Sequence, residues 1–297
     1  MTPPPPAIIR RSLFESDAIR IGSFAARPAS DACGEVERQN EHVVVLTCAG
    51  VFAKHEAPGR HVLGTPSHAV FIRADTAYRI AFPGAVGDRA IILRFRDEVA
   101  PDEVEGPRNV EPLAPHGLLT ADAMIRRGLL RRRLTDRAAD RLAIETLGLE
   151  LLDQSLRALR DRPSPRACAH QRGARAVERV KEAVAVAPGD AWSVARLATI
   201  AHLSPFHLCR VFRENTGTSI YDYVLRERLA LALDAVLGGG DDLTAIALDA
   251  GFASHSHFTA RFRRFFGCTP SALRRETSAR RVGELRKIVT APVIGRA

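Results

Sequence analysis

The chain repeats itself. The segment LATIAHLSPFHLCRVFRENTG, Leu197 to Gly217, returns about fifty residues later as IALDAGFASHSHFTARFRRFFG, Ile246 to Gly267. From the serine onward the register is strict: Ser204 matches Ser254, His207 matches His257, Phe212 matches Phe262, Arg213 matches Arg263 and Gly217 matches Gly267. Before the serine the second copy carries one extra residue. Such a duplication restricts the fold to one that uses the same small unit twice. Each copy reads as a short helix, a tight turn, and a second helix that opens on a serine and stops at a glycine, the sequence form of a helix-turn-helix.

Elementary physics bounds the second helix of each unit. Ser254 is a natural N-cap, and Gly267 a natural stop because glycine tolerates the left-handed conformation. Phe258, Phe262 and Phe265 recur at helical spacing and are expected to face the core, with His255, Ser256, Thr259 and Arg263 on other faces. In the first copy Leu208, Val211 and Phe212 form the apolar stripe, leaving Phe206, Cys209, Arg210 and Arg213 for the outer side. Two helices with polar, basic outer faces in one chain point to DNA, whose major groove admits a helix. Arg261, Arg263 and Arg264 in the second helix, followed by Arg274, Arg275, Arg280 and Arg281, would neutralise phosphates and make binding salt-sensitive.

Between the copies, Ser219 to Leu237 contains no proline or glycine and has Tyr223, Leu225, Leu229, Leu233 and Val236 or Leu237 near helical spacing. It reads as one helix of roughly 28 Å at ~1.5 Å per residue, close to the ~34 Å turn between successive major-groove faces. A strut of that length would hold two readers in register.

Residues from about Ala174 to Arg275 resemble the DNA-binding domain of the AraC/XylS family of bacterial transcription regulators. The second unit carries the likeness: Ala247, Gly251, Phe252, Ser254, Phe258, Phe262, Arg263, Phe266, Gly267, Thr269 and Pro270 stand in the family's order and spacing. The resemblance implies seven helices, near 174–186, 193–201, 204–216, 219–237, 243–250, 254–266 and 270–276. It implies that the helices opening at Ser204 and Ser254 enter successive major grooves of double-stranded DNA. Base-facing positions would be Phe206, Cys209 and Arg210 in the first unit and His255, Ser256, Thr259 and Ala260 in the second, with Arg213 and Arg263 on phosphates. His207 and His257 are the matched pair beside them, and His207 is counted with the DNA-contacting residues. Ala260 departs from the longer polar residue often found there and offers only apolar contact. The likeness admits RNA polymerase as a further partner.

The first hundred residues have another texture. HVVVLTC (42–48), HAVFI (68–72), AYRIAF (77–82) and RAIILRF (89–95) read as strands, with PGAVGD (83–88) as a turn. They predict an all-β sandwich or barrel, and Gly64 to Gly84 resembles the cupin-like N-terminal domain of many such regulators, where it senses or dimerises. Leu118 to Arg160 is helical by its leucine pattern and is expected to pack on the sheet and to support a homodimer. Arg131, Arg132 and Arg133 within it read as a solvated face, with an approach to DNA as the alternative. RPSPRACAHQRG then reads as a linker.

The expected organisation is therefore α+β in two domains: a cupin-like sensory domain at 1–115, a helical packing segment at 116–161, a linker at 162–173, the DNA-binding domain at 174–276 and a basic tail at 277–297. The helix-turn-helix units fall at about 193–216 and 243–266. The net charge of +9 is uneven, since the first 115 residues hold more acid than base. No apolar run is long enough to span a membrane, and the proline-rich opening MTPPPPAIIRR reads as a flexible arm rather than a signal sequence. Cytoplasmic location is expected.

Five scattered cysteines without CxxC spacing suit a reduced compartment, with a redox or metal sensor using Cys33 and Cys48 as the sharper alternative. His42, His55, His61 and His68 lack the paired-histidine spacing of a metal-binding cupin, so neither metal nor cofactor is expected. An enzyme is not expected either, because no PCHR-like alkyl-acceptor string or cupin metal motif is present. The remaining alternative is an architectural DNA binder. A small-molecule effector in the N-terminal domain is expected, its identity open.

Overall fold

A computed structural model of the protein describes residues 7–57, 60–96, 113–136, 139–160, 171–240 and 242–278. Most of the expected linker, nearly all of the basic tail, Cys168, Arg280 and Arg281 lie outside these residues.

Among the described residues, the N-terminal region is built from nine antiparallel strands: β1 Ala7–Glu15, β2 Arg20–Arg27, β3 His42–Gly50, β4 Phe52–Ala57, β5 Arg60–Gly64, β6 His68–Ile72, β7 Arg79–Ala81, β8 Asp88–Phe95 and β9 His116–Leu118. Six form one sheet in the order β1-β2-β8-β3-β6-β9 and three form a second in the order β5-β4-β7. Two antiparallel sheets here and helices in the C-terminal region give the two-domain α+β organisation expected. The run HVVVLTC is largely apolar because β3 is buried on both faces. Val43 and Val45 look inward with Val70, Ile72 and Ile92 toward Phe52, Tyr78 and Phe82, whereas Val44 and Leu46 join Phe71, Ile91 and Leu93 against helices.

Three readings are corrected. Ala7 to Arg11 belongs to β1, paired with β2 through Ile8↔Ala26 and Ile9↔Ala25, so that part of the opening is a strand and not an arm. The pairing engages the inner edge of its backbone, and the β-branched isoleucines suit it. Leu118 ends a strand, and helix begins only at α1, Ala121–Thr135, where the Thr120 side chain caps it by accepting from the Ala123 N–H. Helix α2 follows at Arg141–Arg160. The arginine run near the end of α1 also departs from both readings: Arg131 pairs with Asp234 at 3.0 Å and Arg132 donates to the Leu237 carbonyl at 3.1 Å. Both partners lie on the linker helix that joins the two units, Ile220–Gly238, so Arg131 and Arg132 form an internal seam.

The C-terminal region consists of α3 Gln171–Val186, α4 Val194–Ala201, α5 Pro205–Thr216, α6 Ile220–Gly238, α7 Leu243–Asp249, α8 His255–Phe266 and α9 Pro270–Ser278. Helix α6 is more than a strut. Ile220, Tyr223, Val224, Glu227, Leu229, Ala230, Ala232, Leu233, Asp234, Val236 and Leu237 are all buried, and a helix covered on nearly every side lies inside the molecule. It crosses α1 so closely that a Cβ at Gly128 would stand 2.1 Å from a Leu237 methyl. One apolar core runs from Val44 and Leu93 of the sheet through Met124 and Leu130 to Leu233, Phe258 and Phe262.

Candidate nucleic-acid interface

Both units are set by the same local devices. In the first, Ser193 caps α4, His202 turns the chain in the left-handed conformation, and the Ser204 hydroxyl accepts from the His207 N–H at 3.3 Å. Pro205 opens α5, where its missing N–H is no loss, and Gly217 ends it. In the second, Asp242 caps α7 and Ser254 accepts from the His257 N–H at 3.2 Å. Gly267 stops α8 at φ 79°, a conformation that a Cβ would strain. Each second helix is 12 residues long.

The buried stripes differ. Leu208, Val211 and Phe212 are buried in α5. In α8 the buried rings are Phe258, Phe262 and Phe266, with successive centroids 5.4 and 4.5 Å apart, the first pair edge-on and the second tilted. Phe265, expected in the core, is only partly buried and lies under the Arg226 guanidinium. The i, i+4, i+8 row runs straight down the helix and excludes it.

The outer face of α5 carries Phe206, His207, Cys209, Arg210 and Arg213, all exposed. Phe206 is 83% exposed, a large apolar side chain left in water one helical turn before Arg210. Arg210 lies 3.7 Å from Glu214, one turn on, a solvent-exposed pair that is easily exchanged for another anion.

On α8, His255, Ser256, Ala260, Arg263 and Arg264 are exposed. Thr259 is half-buried with its hydroxyl oxygen out of solvent. The repeated histidines have diverged: His207 is exposed, whereas His257 packs edge-on to Phe252 and its Nε2 accepts from Arg261 Nε at 3.4 Å. Sequence reasoning missed Tyr221, which is exposed on the first turn of α6 with Arg261 over its ring at 5.7 Å. The signal was available, since Tyr221 stands off the apolar stripe of α6.

Arg263 and Arg264 occupy the last turn of α8, where cations complement the helix dipole, and its first turn holds no acid. Among the described residues no three His, Cys, Asp or Glu side chains converge to hold a metal ion, and no helix is long and apolar enough to cross a membrane.

Two capped helix-turn-helix units on a shared central helix define a tandem reader. Residues 197–276 match the family model described as a helix-turn-helix domain. The chain is 38% identical over 87 residues to the RCS-specific HTH-type transcriptional activator RclR of Escherichia coli (strain K12), covering 29% of this chain and 31% of that protein. It is 32% identical over 88 residues to a putative AraC-like transcription regulator of Streptomyces antibioticus, covering 30% and 29%. Among solved structures, the DNA-binding domain of AdpA, a global transcriptional factor in complex with a target DNA, aligns with 26% identity and a TM-score of 0.33 over 38% of this chain and 97% of its own. Residues 197–276 are a helix-turn-helix domain similar to that of AraC-like transcription regulators. The match spans about three tenths of the length of each curated relative named.

Proposed function

We propose that this protein is a sequence-specific, double-stranded-DNA-binding transcription regulator, controlled by a small molecule that binds in the N-terminal β region. The observation that carries the reading is the pair of capped 12-residue helices, α5 and α8, each of which buries an apolar stripe and leaves a polar and basic face in water. In this reading Ser204, Phe206, His207, Cys209 and Arg210 meet one major groove, and Ser254, His255, Ser256, Thr259 and Ala260 the next. Arg213 and Arg263 hold phosphates. Thr259 must turn its hydroxyl outward to take part, while Ala260 and Phe206 offer apolar contact such as a thymine methyl.

Because the two faces differ in sequence, one chain reads an asymmetric site. The functional division is a sensory domain at 1–115, a packing segment at 116–161, a linker at 162–173, a DNA-binding domain at 174–276 and a basic tail beyond. Homodimers in the cytoplasm, and contact with RNA polymerase, complete the proposal. Most leucines of α1 and α2 face the protein's own core, but Leu142 is exposed and is the residue of that pattern left for a partner subunit.

The test is selection of randomised duplexes with the full chain at two salt concentrations. Enrichment of one asymmetric motif about two helical turns long is expected. Salt-sensitive binding with no enrichment would leave an architectural binder instead.

A further inference from the structure

The turn between β5 and β6, Thr65 to His68, carries a second set of contacts that neither reader explains. Glu227, from the middle of α6, is 1% exposed and ends against this turn. Its Oε1 accepts from the Thr65 hydroxyl at 3.1 Å and from the Ser67 hydroxyl at 2.5 Å. Thr65 and Ser67 are themselves fully buried. His68 Nδ1 lies 2.8 Å from the Thr65 hydroxyl oxygen and 3.0 Å from that of Ser67. With both hydroxyl protons directed at the carboxylate, the Nδ1 atom must carry the proton of the ring and donate it. Burial keeps the His68 imidazole neutral by holding its pKa well below the ordinary value.

The same turn is braced from a second element. Arg127 of α1, 1% exposed, donates to the Pro66 carbonyl at 2.5 Å and to the Thr47 carbonyl at 2.6 Å. Alongside it, Arg226 of α6 donates to the Leu119 carbonyl. The charged groups around Glu227 are Arg226 on its own helix and Lys181 from α3, with His68 and His116 behind the turn. A carboxylate is an expensive group to bury, and two hydroxyl donors offset that cost only while the turn stays where it is.

Position gives the contact its meaning. The turn continues directly into Val62 of β5 and into Val70 and Ile72 of β6, which line the interior between the two sheets. At the other end, Glu227 sits between the part of α6 that packs in the first unit, Ile220 to Val224, and the part that packs with the second, Leu229 to Leu237. We infer that Glu227 and the Thr65–Ser67 hydroxyl pair form a buried latch through which the interior of the β region and the linker helix of the tandem reader move together. A molecule that shifts β5 or β6 from inside would shift α6, and DNA held by the readers would, by the reciprocity of linkage, alter the turn. The latch itself stands apart from the proposed function; only this consequence for DNA rests on it.

The test is hydrogen–deuterium exchange of the full chain, read at residues 62–72 and 222–232, for the wild type, Glu227→Ala and Glu227→Gln. The amide oxygen of glutamine can still accept from both hydroxyls, so Glu227→Gln is expected to match the wild type within about threefold. Glu227→Ala is expected to speed exchange by at least about tenfold in both segments, as removal of about 1.4 kcal/mol or more would. Fast exchange confined to 222–232, or a Glu227→Gln protein as loose as Glu227→Ala, would overturn the latch. Adding the selected duplex should change exchange at 62–72 in the wild type and in Glu227→Gln but not in Glu227→Ala. A change that persists in Glu227→Ala would overturn the coupling. Should no duplex be selected, the exchange of the DNA-free proteins decides the latch alone.

Discussion

The first and second helix-turn-helix units share a sequence register, caps and helix length, yet they are packed into different bodies. The first buries Leu208, Val211 and Phe212 in a compact cluster with Val177, Val180 and Val184 of α3 and the first turns of α6. The second buries Phe258, Phe262 and Phe266 in a core that continues through α6 and α1 into the large β-sheet. One reader therefore has a core largely its own, and the other shares its core with the N-terminal region. A duplicated sequence guarantees a duplicated local fold, but the helices around each copy decide what it is mechanically joined to.

The largest effect expected from this difference comes from truncating the matched rings. Phe212→Ala and Phe262→Ala should each cost about 3–5 kcal/mol by loss of burial and the cavity left behind. Hydrogen exchange should separate them: Phe262→Ala loosens α1, whereas Phe212→Ala loosens α3 and leaves α1 protected. Equal loosening of α1 by both would break the comparison.

A pH-dependent effect should also reach the second unit. Asp88, at the start of β8, is buried, and its Oδ1 has no hydrogen-bond partner among the described residues. Burial pushes its carboxyl up to about 7. With the folded value raised, the protonated form favours folding. Stability is therefore fully present below the ordinary carboxylate range, falls as pH rises toward about 7, and is flat above, by at most about 1.4 kcal/mol per pH unit. Asp88→Asn should raise the melting temperature more at pH 8 than at pH 5. An equal gain at both would exclude ionisation as its cause. If the β region and the second unit form one body, α8 should gain exchange protection in the same variant at pH 8.

On DNA, the readers are expected to divide the work. Arg210→Ala should lose about 1–3 kcal/mol of discrimination at one base pair of the selected motif, whereas Arg263→Ala should weaken all duplexes alike and reduce the salt slope by about 1. Competition binding with the selected and a scrambled duplex measures both, and identical losses for the two variants would sink the division. The smallest effect is the symmetric one. Ser204→Ala and Ser254→Ala should each cost about 1 kcal/mol of stability, measured by urea unfolding, because the caps are the feature the two units have in common.

Much of this was legible in the sequence, and the part that was legible is local. Serine and glycine mark where α5 and α8 begin and end because capping is decided by the backbone within one turn. The apolar rows of α5 are visible because helical periodicity is short-range. Strands β4 and β5 were not legible: Lys54, His55 and Glu56 break the apolar alternation, and Lys54 is buried only because its ammonium donates to Glu56 and, at 2.5 Å, to the Phe71 carbonyl across the sheets. The choice of Phe266 over Phe265 was equally hidden, since both fit a helical period and the neighbouring helices select between them.

The sequence by itself determined the tandem reader: its repeat, its caps, the strand-rich texture before it and the outward faces of α5. Only the tertiary structure decided that the readers are unequal, that Arg127, Arg131 and Arg132 form an inner seam, and that Glu227 reaches a serine 160 residues away. The physical reason is range. Propensity and periodicity act between near neighbours, whereas the desolvation that makes a buried arginine or glutamate bearable is met by partners whose identity depends on the whole chain having folded.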